Sequence, residues 1–205
     1  MTSVPTLENA PHALFVDNRW QLGVYRTPFA EVEMSTKGWK RYRLKEWHYV
    51  SFTTDAWFVA LGLVQLGYVA NLFTYAVDRL NGSRTLEHGT LSPMGQALTF
   101  APSSMTGKTT WQSRNARATI EAGDGWNVEV DLPLGDERLS GRARIESRES
   151  LAMLHRLGPK WVAYTHKAAG WPASGKLSLG ARTIDLDLSL IHISEPTRLL
   201  RRSRM

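Results

Sequence analysis

Residues 57–77 read WFVALGLVQLGYVANLFTYAV, 21 consecutive positions without a charge. A chain must either pass such a run through a membrane or bury it inside a fold. About 20 apolar residues suffice to cross a bilayer as a helix, so length alone permits a span. The content of the run argues the other way. Gln65 and Asn71 are polar, Gly62 and Gly67 weaken a helix, and ten residues are aromatic, valine or threonine, the types that favour strands. One unbroken strand of this length would stretch roughly 70 Å at about 3.3 Å per residue, far beyond ordinary strands, so the run must turn. Gln65-Leu66-Gly67 is the natural place. The expectation is a hairpin of two strands, apolar on both faces and central to a sandwich or closed barrel, with no transmembrane span.

The surrounding sequence supports an antiparallel sheet. Asn81-Gly82 follows the run and Asp124-Gly125 separates ARATIEA from WNVEVDL; both dipeptides adopt the positive φ of tight hairpins. Ala118 and Ile120 alternate with Arg117, Thr119 and Glu121, while Trp126, Val128, Val130 and Leu132 alternate with Asn127, Glu129 and Asp131. Such alternation gives a sheet with one wet face. A strand at RARIES and a hairpin at Gly180-Ala181 joining GKLSL to RTIDLDL continue the pattern. Helical spacing is scarce: only ESLAMLHRL, residues 149–157, would make about two helical turns, stopped by Gly158-Pro159. Residues 92–107, with two prolines and several small polar residues, read as a long connection of the kind that borders binding sites.

At 205 residues, 42% hydrophobic and 21% charged, the chain has the proportions of one globular domain. It has no cysteine, which excludes disulfides, thiolate zinc sites and cysteine nucleophiles. The first twenty residues lack the basic stretch and apolar core of a secretory signal, so a cytoplasmic location is expected. A net charge of +6 suggests nucleic acid as a partner, but the charge is concentrated in the last seventeen residues, SLIHISEPTRLLRRSRM. Those residues break the clean alternation of Ile184, Leu186 and Leu188 that precedes them, and hold four arginines and one glutamate. SLIHISEPTRLL resembles translated sequencing adapter of the kind found at the ends of unrelated environmental gene fragments. Residues 189–205 are therefore expected to be a non-native tail on a truncated chain. Three of the six net positive charges go with it, and no nucleic-acid partner is expected.

RLKEWHYVSFTTDAWFVALGLVQLGYVANLFTYAVDR and, further on, YTHKAAGWPASGKLSL resemble an uncharacterised bacterial family designated domain of unknown function DUF2804. The likeness runs from about Trp39 to Leu188, carried by KEWHY, LGYVANLF, ESLAML and YTHKAAG. Family proteins are longer, with a further Trp-rich, aspartate-containing stretch that is absent here. The resemblance implies an all-β, antiparallel lipocalin-like barrel or sandwich, incomplete in this chain and with at most one short helix, similar to the β-barrels of carotenoid hydratases. It divides the chain into an N-terminal segment at 1–38, a β-rich domain at 39–188 and the tail at 189–205. The family itself implies no activity; the fold analogy points to an apolar ligand.

In KEWHY, alternation puts Glu46 and His48 on one side of a strand and Trp47 on the other. YTHK likewise groups Tyr164 with His166, opposite Lys167. Should the two strands meet, Glu46, His48, Tyr164 and His166 would form one polar cluster in an apolar cavity, the usual layout of a small-molecule site. A carboxylate beside histidine suits cofactor-free acid–base chemistry, of the hydratase or isomerase type, with Glu46, His48 and His166 as catalytic candidates. The competing reading is that these are ordinary satisfied polar groups on strands. Trp47, Tyr164, Lys167 and Trp171 are the ligand-binding candidates, with Trp171, beside Gly170 and Pro172, expected on a rim. Eight tryptophans suit a β-core, and the same rings line pockets.

Other motifs fail. Gly107-Lys108-Thr109 ends like a phosphate loop, but Pro102 stands where that loop needs glycine, and no parallel βα unit surrounds it. Asn81-Gly82-Ser83 is formally a glycosylation acceptor but reads better as a turn. The six histidines show no ligand spacing, so neither a metal nor a cofactor is expected. Three functions remain: a binder of a hydrophobic small molecule, an acid–base enzyme on an apolar substrate, and a structural or interaction protein without a ligand.

Overall fold

A computed structural model describes residues 7–32, 34, 42–81, 85–159 and 161–187, together with the backbone alone of 189–194 and 198–201. The described chain is built of strands. Three short ones open it: β1 (Phe15–Val16), β2 (Arg19–Trp20) and β3 (Gly23–Tyr25). Four long strands follow as a meander, β4 (Glu46–Thr53), β5 (Trp57–Gln65), β6 (Val69–Asp78) and β7 (Thr85–Pro93). After the short β8 (Leu98–Thr99) a second meander runs through β9 (Gly107–Gln112), β10 (Arg117–Gly123), β11 (Gly125–Leu134) and β12 (Glu137–Ile145). The remaining strands are β13 (Leu151–Gly158), β14 (Trp161–Leu179), β15 (Arg182–Asp185), β16 (Ser189–Ser194) and β17 (Arg198–Arg201).

The uncharged run turns where its sequence demands. β5 and β6 pair antiparallel from Trp57–Asp78 to Gln65–Ala70, and Gly67 takes φ 92° in the turn between them. Gln65 Oε1 accepts the Gly67 N–H at 3.0 Å, and the ammonium of Lys45 donates to the Leu66 carbonyl while lying 4.9 Å from the Tyr68 ring. β5 is buried on both faces, whereas β6 buries alternate residues. No helix among the described residues is long and apolar enough to cross a membrane. The Asp124-Gly125 and Gly180-Ala181 hairpins form as expected, with Gly125 and Gly180 at positive φ. Gly82 and Ser83 lie outside the described residues. The connection they belong to joins the antiparallel strands β6 and β7, and Asp78 Oδ1 accepts the N–H groups of Leu80 and Asn81 at 3.0 Å each.

One expectation is overturned. ESLAMLHRL is not helical: Leu151–Gly158 forms β13, paired with β14 on one edge and β3 on the other. Its apolar residues satisfy a period of two as well as a helical one, since Ala152 and Leu154 are buried while Leu151 is exposed and Met153 half-buried. Two waiting strand edges then decide in favour of the sheet, because short apolar runs take the structure of their tertiary partners.

One large antiparallel sheet results, running β7-β6-β5-β4-β16-β14-β12-β11-β10-β9-β8. It does not close into a barrel; it folds over so that β11 crosses β6 and β7, and the Gly135 N–H reaches the Glu87 carbonyl at 3.2 Å. The main core lies between the two layers, with Leu63 and Leu72 from one and Ile120, Leu132 and Ile145 from the other. A second core packs Leu14, Phe29 and Val32 of the N-terminal segment against Ala152, Leu154, Val162 and Tyr164. The outward face of the second meander is wet, as its alternation requires. Cross-strand ion pairs line it, Lys108 with Glu121 at 3.0 Å, Arg142 with Glu129 at 3.0 Å and Arg138 with Asp131 at 2.5 Å.

Candidate functional site

β4 and β14 are separated in the sheet by β16, so their backbones stand about 10 Å apart. Their inward side chains nevertheless converge, because Trp126 enters between them from β11 in the facing layer. The His48 ring stands edge-on to Trp126 at 5.1 Å, and Trp126 also meets His166 at 6.4 Å and Trp171 at 5.9 Å. His166 and Trp171 close the group at 6.4 Å. All four are buried, between 1% and 4% exposed. Trp126 thus contacts both histidines.

A bulge makes this arrangement possible. Tyr164, His166 and Ala168 face inward at even positions; Gly170 takes φ 69°, the register against β16 shifts between Ala169 and Trp171, and the inward set continues as Trp171, Ala173 and Leu177. The extra residue swings Trp171 to the same face as His166. Trp171 is therefore floor rather than rim, and its Nε1 donates to the Glu149 carbonyl at 2.8 Å.

Two recesses adjoin this aromatic group. On the His166 side lies a cleft of about 350 Å³ whose floor is Trp126, His166 and Trp171, with Ser104 on its wall and Arg26 and Arg148 among its other lining residues. On the His48 side is a cavity of about 10 Å³, the room of a single water molecule, lined by His48, Ser104, Thr109 and Tyr164 among others. There Thr109 Oγ1 accepts the Ala101 N–H at 3.1 Å and lies 3.4 Å from His48 Nδ1. Ser104 borders both recesses. It is 5% exposed, and its hydroxyl has no hydrogen-bond partner among the described residues.

The expected four-residue polar cluster is thus divided. His48 and Tyr164 share the small cavity, His166 belongs to the cleft, and the half-buried Glu46 lines neither. Trp47, facing away from His48, and the exposed Lys167 line neither as well. Among the described residues no three His, Asp or Glu side chains are grouped to hold a metal. Ser104 lies within the 92–107 connection whose prolines and small residues mark it as the kind that borders binding sites. Arg26 and Arg148 sit in irregular segments where no periodicity points to a face.

A third recess, of about 450 Å³, lies on the wet face among Lys108, Glu121, Glu129 and Arg142. Its charges are already paired with one another, so it is ordinary solvated sheet surface.

Compared with known proteins, the chain matches the family model for Domain of unknown function (DUF2804) over residues 16–190. No curated protein and no solved structure matches it.

Proposed function

The chain belongs to the DUF2804 family, and from that premise we propose that it binds a hydrophobic small molecule or lipid-like group in the cleft floored by Trp126, His166 and Trp171. The observation that carries this reading is the floor itself: two buried indoles and an imidazole at the base of an open recess of about 350 Å³. Small-molecule sites combine an apolar, aromatic lining with a few polar groups, and the cleft has that composition. The lipocalin-like resemblance favours the same class of ligand. Native mass spectrometry of the gently purified protein tests the proposal, with co-purifying apolar mass expected in the wild type and lost in Trp171→Ala. A wild type that carries no ligand, and shows no change in tryptophan emission with any apolar probe, refutes it.

A second reading, cofactor-free acid–base catalysis on such a molecule, is favoured by one observation: His166 forms part of the cleft floor. The acid–base role among Glu46, His48 and His166 then falls to His166, the one of the three that lines the cleft. Under this reading His166→Ala abolishes turnover of a bound apolar substrate and leaves the melting curve in place. Equal turnover in the variant sinks it.

A further inference from the structure

We propose that the occupant of the cleft is an amphiphilic organic anion, a carboxylate on an apolar body, with its charged end held by Arg26 and Arg148. The proposal rests on the ligand-binding reading above and specifies its ligand. Both guanidinium groups line the same cleft as the aromatic floor. Arg26 has no ion pair among the described residues. Arg148 has one, with Glu146 at 3.6 Å, between side chains 60% and 68% exposed; so long and wet a pair contributes little and yields readily to a ligand.

A carboxylate accepts hydrogen bonds only, and arginine presents a planar fork that fits it. Among the described residues Glu149 is the one carboxylate lining the cleft, so the arginines outnumber it and the local field favours an anion over a cation. The apolar body lies against Trp126 and Trp171, which have no charge to solvate a second ionic group.

The test uses the full chain and three probes with one apolar body and different heads, decanoate, decanol and decylamine, titrated by calorimetry and tryptophan emission. Decanoate is expected to bind at least about tenfold more tightly than decanol, the scale of one charge-assisted hydrogen bond, and decylamine more weakly than either. In Arg26→Gln/Arg148→Gln that preference collapses, decanoate falling to the affinity of decanol, while decanol still binds, which reports an intact cleft. Equal affinity for the three heads, a preference for decylamine, or a decanoate preference that survives the double substitution overturns the anionic assignment and leaves the apolar site standing. Binding of none of the three overturns both.

Discussion

At the scale of single residues, Tyr75 shows how a half-buried hydrogen bond is converted into pH dependence. Tyr75 lies on β6 with its ring stacked on Phe58 at 5.8 Å, and its hydroxyl is 3.4 Å from that of Tyr49. That hydrogen bond, with burial second, pushes the Tyr75 phenol up to about 12. An unfolded tyrosine titrates near 10. A folded value above the unfolded one means that the fold favours the neutral form, so the stabilisation is complete below pH about 10 and is lost as pH rises through about 12. Tyr75→Phe should therefore show a shallower fall in Tm over that window than the wild type. An unchanged slope would mean the phenol does not titrate with folding. Lys45 shifts in the opposite direction, lowered by burial, which fits its role as an ammonium drawn into the β5–β6 turn.

Among elements, legibility follows the clarity of the pattern and the turn. The Asp-Gly hairpin and the RTIDLDL strand announce themselves because each buries one set of alternate residues, and the uncharged run because its length forces a turn; all three mark the turn with glycine at positive φ. β13 was misread because nine residues cannot separate two periods, and the deciding partners, β3 and β14, are distant in sequence. The site suffered from the same limit. Alternation groups His48 away from Trp47 and His166 away from Lys167, but nothing local tells that Trp126, from another strand, touches both histidines. Close approach of β12 to β14 likewise emerges only in three dimensions. Gly141 has φ 140°, and a Cβ there would lie 2.3 Å from the Lys176 carbonyl oxygen. Gly141→Ala should cost roughly 1–3 kcal/mol, a drop of several degrees in Tm. Gly89→Ala on the edge strand β7, where a Cβ meets only the Leu72 oxygen at 4.0 Å, should be nearly neutral. Equal melting of the two variants would show that the β12–β14 contact is soft.

For the molecule as a whole, the sheet's hydrogen bonding runs through one seam. β16 alone connects β4 to β14, bonding Tyr49–Thr53 on one side and Lys167–Ala173 on the other. The described residues of the two layers also share the main core. Removing residues 188–205 should therefore leave the layers packed but expose two inner strand edges, ready-made templates for pairing with other chains. The expected result is retained β-sheet circular dichroism with higher-order species in size-exclusion chromatography. A monomer with the melting temperature of the full chain would show that the seam carries no weight.

The bulge at Gly170 sets how β14 is read. Alternation is a two-beat rhythm, and one added residue shifts its phase for everything downstream. Deleting Gly170 would leave every other side chain in β14 chemically intact yet turn Trp171 and Ala173 toward solvent and Pro172 and Ser174 toward the core. The cleft floor is thus encoded partly in arithmetic: in this stretch a change in the number of residues is more damaging than a change in their kind.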